Sequence, residues 1–469
     1  MIESIKLENF KAFKNSGYID LKKINILVGP NSSGKSSFIK SLLILKNSIK
    51  SKESSSALTL GKDMGNFNSI VFNKNSKSMF SYRIKLKNEN NFKISGKINL
   101  SKDLGFNLFA ITKQIINKRK DKDEEITSVL TELMKENFKY DIDEVYISLK
   151  ETANKRIVVE NFKMNFSNGE HSEIYRKRNS YYIKFNETNI KTPNVVKPNK
   201  FYFFIDANKL NKGLTVDELK YVSILDYVLM KFEKKITRFF NKMIHLKPLR
   251  NEFERLEYVT NLSIEESVGE KGENTLKTLL GIENNDKKEI KVNVKNDINN
   301  WLDKFDLGKS IDIVNIGNDN YSLEIKNKYT GIKNNIIDVG VGTAQLLPIL
   351  IESINSKEGS LLIIEEPETH IHPKAQSLLA DLFVECASKK DKKFILETHS
   401  IFLIIKLQIL VAKGIISPKD IGIYYFEQSE KGTITKEMVL NKNGQFDEEW
   451  PSGFFDIHYG LGSELIKYM

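Results

Sequence analysis

The stretch Gly29-Pro-Asn-Ser-Ser-Gly-Lys-Ser36 constrains this chain more than any other. It fits G-x-x-x-x-G-K-[ST], the pattern of a glycine-rich loop whose backbone N–H groups converge on phosphate oxygens at the positive end of a helix dipole. The flanks agree with the letters. Ile24 to Val28 is an apolar run that reads as a buried strand, and Phe38-Ile-Lys-Ser-Leu-Leu-Ile-Leu45 reads as a helix opening at the loop. In that geometry the backbone of Gly29, Pro30, Asn31, Ser32, Ser33 and Gly34 cradles phosphate. Lys35 reaches the β and γ phosphates, Ser36 offers its hydroxyl to Mg²⁺, and Ser37 closes the candidate set.

At 469 residues the chain is too long for one compact core and is expected to hold two or three structural units. No apolar run approaches the ~20 residues of a membrane span, so no membrane association is expected. Met1-Ile-Glu-Ser-Ile-Lys-Leu7 lacks the basic start and apolar block of a signal peptide. Cys386 is the single cysteine, which excludes an intramolecular disulfide and a multi-cysteine zinc site. The expected compartment is the cytoplasm. Net charge is +11. That favours phosphate backbones, but the excess is mostly dispersed lysine, and arginine, the better bidentate phosphate ligand, is scarce.

Period-two alternation predicts strands at Ile2 to Leu7, Gly17 to Leu21 and Ile24 to Val28. A serine-rich loop follows at residues 51 to 59. Strand periodicity returns over 69 to 99, as in Met79 to Leu86, and residues 111 to 137 carry helical spacing with many charges. Further strands are expected at Val145 to Leu149, Arg156 to Phe166 and Tyr181 to Phe185, and Phe201 to Asp206 is an apolar run ending in an acidic residue. Thr215 to Leu246 reads as one long helix with Thr215 as its N-cap, and 288 to 326 as a helix around Trp301 followed by two strands. No paired long heptad blocks are present, so an extended coiled-coil arm is not expected. From Gly331 onward strands and helices alternate in the pattern of a mainly parallel sheet. The expected organisation is therefore 1–50 and 331–469 as two parts of one nucleotide-binding head, with an α+β region, 51–330, inserted between them.

The second part carries the rest of a phosphate site. Leu361-Leu-Ile-Ile-Glu365-Glu366-Pro367 is a buried strand ending in two carboxylates. At the carboxyl edge of such a sheet Glu365 is placed to hold the metal with Ser36, and Glu366 to orient or deprotonate the attacking water. Lys393-Phe-Ile-Leu-Glu-Thr-His399 is another strand with a histidine just past its end, where it can hydrogen-bond a γ phosphate. Asp338-Val-Gly340-Val-Gly342-Thr343-Ala-Gln345 begins as a glycine-rich turn and continues as a helix. The N–H groups of that helix could cap the γ phosphate of a second subunit. His370 and His372 match no tetrahedral spacing, so an independent metal site is not expected there.

This set, in this order, resembles the ATP-binding-cassette head of the RecF, SMC and OLD-nuclease ATPases. In that resemblance Gly29 to Ser36 is Walker A, Gly340 to Gln345 the signature and Leu361 to Glu366 Walker B. Thr369-His-Ile-His-Pro373 is the D-loop and His399 the switch histidine. Glu365-Glu-Pro-Glu-Thr-His-Ile-His-Pro373, Glu397-Thr-His-Ser400, Lys247-Pro-Leu-Arg250 and Val268-Gly-Glu-Lys-Gly-Glu273 look like the OLD-like AAA-type ATPases of prokaryotes. Trp450-Pro-Ser-Gly-Phe-Phe-Asp456 matches the terminal box of one of their subfamilies. The likeness is close at both ends and loose in the middle. Many relatives have Ser before the signature Gln; here Ala344 stands there, with Thr343 the nearest hydroxyl, an exchange expected to weaken γ-phosphate sensing. Glu365 occupies a position that transporters fill with Asp. No Q-loop glutamine is assigned; Gly65-Asn-Phe-Asn68 lies where relatives carry a lid contact.

The resemblance implies an α/β P-loop ATPase head that forms a homodimer, or a higher oligomer, around ATP and Mg²⁺. It also implies action on double-stranded DNA or another nucleic acid. No nuclease is expected in this chain, because little sequence follows His399 and the six histidines form no HNH pattern. The leading expectation is an ATPase subunit that controls a separately encoded effector, a nuclease or toxin, in antiphage defence of the Septu or Gabija kind. The alternatives are a RecF-like or SMC-like repair ATPase without an effector, and a regulatory scaffold restraining a toxin.

Overall fold

The structure, a computed structural model, describes residues 2–53, 55–75, 78–87, 140–190, 195–206, 209, 215–260, 264–284, 288–451 and 464. The helical spacing at 111–137 and the last five residues of the terminal box, 452–456, lie outside the described residues, as do 88–99 of the expected strand region. The chain divides into two compact units. One comprises Met1–Asp20, Ser36–Asn241 and Gln428–Ile434; the other comprises Leu21–Lys35, Lys242–Glu427 and Thr435–Met469.

The first unit is built on an antiparallel sheet. Its strands are β1 (Ile2–Phe10), β2 (Phe13–Asp20), β4 (Phe80–Leu86), β5 (Ile142–Glu151), β6 (Ile157–Phe166), β7 (His171–Lys177), β8 (Ser180–Phe185) and β9 (Thr188–Ile190), in the order β2-β1-β4-β5-β6-β7-β8-β9. The burial of β6 and β8 alternates along the strand, as expected where one face meets a core and the other water. A hairpin of β10 (Val196–Asn199) and β11 (Tyr202–Ile205) adds Phe203, which meets Phe162 edge-on at 5.5 Å. Helix α1 (Lys35–Lys50) buries Phe38, Leu42 and Leu45, and the buried Tyr82 hydroxyl donates to the Ser41 carbonyl at 3.2 Å. Phe67–Ile70 is a single helical turn capped by Asn66, whose side chain accepts from the Ser69 N–H. The stretch expected as strand from residue 69 thus becomes strand only at Phe80, because the Asn66 cap competes locally for the backbone.

Helix α2 (Val216–Asn241) opens on a capping box, with the Glu218 N–H donating to Thr215 Oγ1 (3.2 Å) and the Thr215 N–H to Glu218 Oε2 (2.9 Å). It stops at Asn241, short of the expected Leu246. Met243–Leu246 is instead strand β12, paired in parallel with β17 (Leu361–Glu365). A four-residue apolar run fits either period, and pairing with a distant strand decides it.

The second unit is built on a sheet in the order β12-β17-β18-β3-β19-β20, where β3 is Ile24–Val28, β18 Lys393–Glu397, β19 Ile421–Ser429 and β20 Gly432–Glu437. The pairings from β12 through β19 are parallel. All five residues of β3 are buried, the mark of a strand covered on both faces. Helices α3 (Thr275–Glu283), α4 (Lys288–Lys304), α5 (Val341–Asn355), α6 (Pro373–Lys389) and α7 (Ile401–Ala412) belong to this unit, as does a small sheet of β13 (Glu257–Tyr258), β14 (Ser310–Gly317), β15 (Asn320–Lys326) and β16 (Lys333–Asn335). The buried Lys392 donates to the Ser353 and Ile354 carbonyls at 2.7 and 3.0 Å, closing the C-terminal end of α5, and burial pulls its amine down to about 8. Among the described residues no helix is long and apolar enough to cross a membrane.

Asp226 on α2 is buried, and that burial pushes its carboxyl up to about 6. The native chain therefore holds a proton there at pH values where the unfolded chain has lost it. Stability falls as pH rises from about 4 to about 6 and stays lowered above. Asp226→Asn should stabilise the protein at pH 7.5 by on the order of 2–3 kcal/mol, with the gain vanishing below about pH 4. Denaturant midpoints across that range measure it, and a gain independent of pH would contradict the assignment.

Candidate functional site

The carboxyl ends of the parallel strands share one level. Glu365 pairs with Glu397 across β17 and β18, and Glu397 with Leu27 across β18 and β3. Everything that follows these strands is therefore delivered to one edge, the usual place for a ligand in such a sheet.

After Val28 the chain turns at Gly29, whose φ is 140°. A Cβ there would lie 2.2 Å from the Phe426 carbonyl oxygen, so no side chain fits. Ser32 (φ 62°) and Gly34 (φ 110°) are also left-handed, and the Ser33 N–H returns to the Pro30 carbonyl at 3.3 Å. Successive residues of this kind make a concave nest of N–H groups. Lys35 begins α1 and is only 3% exposed. Its Nζ donates to the Gly29 and Pro30 carbonyls, both at 2.9 Å. Burial pulls this amine below its ordinary value, against the opposing pull of Glu397 and Glu366. Ser36 and Ser37 follow as the next residues of the helix.

Glu366 stands just past β17 with φ 44°, a conformation that costs a side-chain-bearing residue of order 1–3 kcal/mol and persists only when its surroundings fix it. Its N–H donates to the Glu397 carbonyl at 2.7 Å. Its Oε2 accepts from the Thr369 hydroxyl at 3.3 Å, and its carbonyl from the Thr369 N–H at 3.2 Å. Glu368 Oε1 accepts from the His399 N–H at 2.6 Å, and burial raises the Glu368 carboxyl above its usual value. The His399 imidazole is pushed down, first by burial and then by Lys35, with Glu366 opposing. It is thus held neutral near pH 7, able to donate one N–H and accept at the other nitrogen. Ser400 caps α7 through the Leu403 N–H at 3.2 Å and donates to Gln376 Oε1 at 2.7 Å, which fixes where His399 stands.

The structure thus brings Lys35, Glu366 and His399 within electrostatic reach of one another. Gly340, Gly342, Thr343 and Gln345 form the N-terminal turn of α5, where the Thr343 N–H donates to the Gly340 carbonyl at 2.9 Å. That turn lies against the D-loop: a Cβ on Gly342 would be 2.7 Å from the His370 carbonyl oxygen. Val341 beside it is exposed, and Arg255 clasps Asp338 with two hydrogen bonds of 3.0 and 2.7 Å. His372 accepts from the Lys374 N–H as the cap of α6.

Two residues of the site escaped the sequence reading. His245, buried on β12, places Nε2 2.5 Å from Glu365 Oε1. Arg250, 6% exposed, donates from Nη2 to the Glu365 carbonyl at 3.0 Å, while its own carbonyl accepts from Gln345 Nε2 at 3.3 Å. Burial pulls its guanidinium down to about 10, against Glu368, Glu366 and Glu365. His245 follows from β12 being a strand, and Arg250 from the loop after it; Lys247-Pro-Leu-Arg250 was the signal that the family resemblance had already singled out.

Among the described residues no group of three or more His, Cys, Asp or Glu side chains could hold a metal by themselves. The carboxylates of Glu365 and Glu366 at the end of β17 are hard oxygen donors. Such donors suit Mg²⁺, which binds through one or two carboxylates together with substrate phosphates and water.

A family described as AAA ATPase domain matches residues 1–404, and one described only as a protein of unknown function matches residues 416–457. No curated protein matches the sequence. Solved structures with similar folds include an Smc head bound to the C-winged helix domain of ScpA (14% identity, 94% of this chain and 98% of that one, TM-score 0.42). Others are an Smc head with an extended coiled coil bound to the C-terminal domain of ScpA from Pyrococcus furiosus (13%, 99% and 99%, 0.43) and an SMC head domain from Thermotoga maritima (9%, 94% and 99%, 0.38).

The loop geometry has its own test. Gly29→Ala must push a methyl into the Phe426 carbonyl, and should lower the unfolding free energy by about 2 kcal/mol or more. Denaturant midpoints equal to those of the parent protein would show that the loop does not hold this conformation.

Proposed function

The chain belongs to the AAA ATPase domain family, and from that premise we propose that it binds ATP with Mg²⁺ and hydrolyses it to ADP and phosphate. The observation that carries the reading is the convergence of Lys35, Glu366 and His399 at one sheet edge beside a nest of loop N–H groups. The loop from Gly29 to Gly34 offers those N–H groups to the phosphates, and an ammonium has three donors, so Lys35 can keep its loop carbonyls and still meet a phosphate oxygen. Glu366 orients the attacking water and accepts its proton. His399, held neutral, donates to the terminal phosphate from the adjacent strand end. Ser36 and Glu365 would hold Mg²⁺, which neutralises charge building on the phosphates.

The signature turn supports a second part of the reading. Gly340, Gly342, Thr343 and Gln345 open α5 with N–H groups and an exposed flank at Val341. We read them as the surface that meets the nucleotide of a second copy, so that ATP joins two chains and hydrolysis loosens them. The motifs from Glu365 to Pro373 and from Glu397 to Ser400 resemble those of the OLD-like ATPases, and that likeness supports a finer reading. On that basis the ATP cycle serves a cytoplasmic, nucleic-acid-sensing subunit that governs a separately encoded effector in antiphage defence. The net charge of +11 supports the nucleic-acid part.

Glu366→Gln should abolish steady-state turnover, by at least a hundredfold, while ATP binding and the ATP-dependent dimer persist. Lys35→Ala should lose both binding and dimer. Malachite-green phosphate release and light scattering with and without ATP measure these. Undiminished turnover in Glu366→Gln would sink the catalytic assignment, and an ATP-induced dimer in Lys35→Ala would sink the sandwich.

A further inference from the structure

Resting on the ATPase reading above, we propose that Arg250 is a positioning residue that holds the catalytic carboxylate of Glu366 in its left-handed conformation.

The peptide bond between Glu365 and Glu366 is gripped on both edges. Its carbonyl accepts from Arg250 Nη2 at 3.0 Å, and its N–H donates to the Glu397 carbonyl at 2.7 Å. One grip comes from the loop after β12, the other from the end of β18. The peptide plane sets φ of the residue that follows it, and that residue is Glu366, at 44°. Left alone, Glu366 would relax toward an ordinary backbone region and swing its carboxylate away.

Arg250 is an expensive way to make one hydrogen bond. Its Nε and Nη1 are buried with no hydrogen-bond partner, so their desolvation is uncompensated. An apolar residue would pack there at less cost. What an apolar residue cannot do is donate to the Glu365 carbonyl while standing as a fixed cation among Glu365, Glu366 and Glu368. Lysine is also a poor substitute, since a flexible point charge does not fix a peptide plane as a rigid planar fork does. The arginine is itself anchored, because its carbonyl accepts from Gln345 Nε2 at 3.3 Å.

The test measures kcat and, separately, ATP affinity with a fluorescent ATP analogue, on the full chain. Arg250→Lys is expected to lower kcat at least tenfold while changing the nucleotide Kd and the unfolding midpoint by less than twofold and a few degrees respectively. Arg250→Ala is expected to recover part of its lost kcat in millimolar guanidinium, which a purely structural defect would not do. Placed in the Glu366→Gln background, Arg250→Lys should give no further loss in single-turnover rate, because both changes act on the same carboxylate. Parental kcat in Arg250→Lys overturns the proposal, as does an equal loss of nucleotide binding and turnover, or failure of Arg250→Lys to fold. The two readings fail separately. Turnover retained in Glu366→Gln refutes the catalytic assignment, whereas a dead Glu366→Gln beside an undiminished Arg250→Lys refutes only the positioning role.

Discussion

The parallel register across β17, β18 and β3 is the constraint on which the site depends. Parallel strands present their carboxyl ends together, and here the row Glu365–Glu397–Leu27 fixes the level at which three loops leave the sheet. A slip of one residue in any pairing would turn every side chain of that strand to the opposite face. It would also part the Glu366 N–H from the Glu397 carbonyl. Full burial of β3 and near-full burial of β17 and β18 make such a slip costly, so the hydrophobic core sets the geometry of this edge.

Electrostatics at that edge follow from burial combined with proximity. Lys35 and His399 are both drawn below their ordinary values by desolvation, and both are pulled back by Glu366. His399 feels Lys35 as well, which keeps the imidazole neutral. Burial and proximity together thus set the directions in which Lys35 and His399 are shifted at this edge. Glu368, raised by burial yet held by the His399 N–H, joins the acidic strand end to the end of β18.

Much of this was legible in the sequence, and what was not has a definite cause. The phosphate loop was readable because its pattern is local: eight consecutive residues carry it, and strand and helix flank it directly. Glu365, Glu366 and His399 were readable because an apolar strand ending in a polar residue marks a sheet edge. Met243–Leu246 was misread as helix because so short a run carries too little period to separate the two states, and the deciding contact is with Leu361 to Ile364, far along the chain. That misreading hid His245: a helix would have left it on an arbitrary face, whereas a strand beside β17 delivers it to Glu365. Arg250 lies in the loop beyond the strand, where no local pattern marks its contact with Glu365. The Thr215 N-cap, by contrast, was visible because its hydrogen bonds span only three residues.

Some of the buried polar atoms of this unit that lack a hydrogen-bond partner surround the acidic strand end, while others, Ser353 Oγ and Ser356 Oγ among them, lie elsewhere. His245 Nδ1, Arg250 Nε and Nη1, Gln345 Oε1 and Glu368 Oε2 are all buried without a hydrogen-bond partner, and each belongs to a residue that contacts the acidic strand end or its neighbours. Folding alone gives no reason to keep such groups, since apolar replacements of similar shape would remove their cost. Those around Glu365 and Glu366 are the ones that the positioning proposal accounts for, by a fixed arrangement of charge. Glu366 adds to that cost through its backbone. The same argument explains why Arg250 stands where an apolar residue would pack more cheaply. A carboxylate that must activate water needs its direction held, and the peptide before it is the shortest lever on that direction.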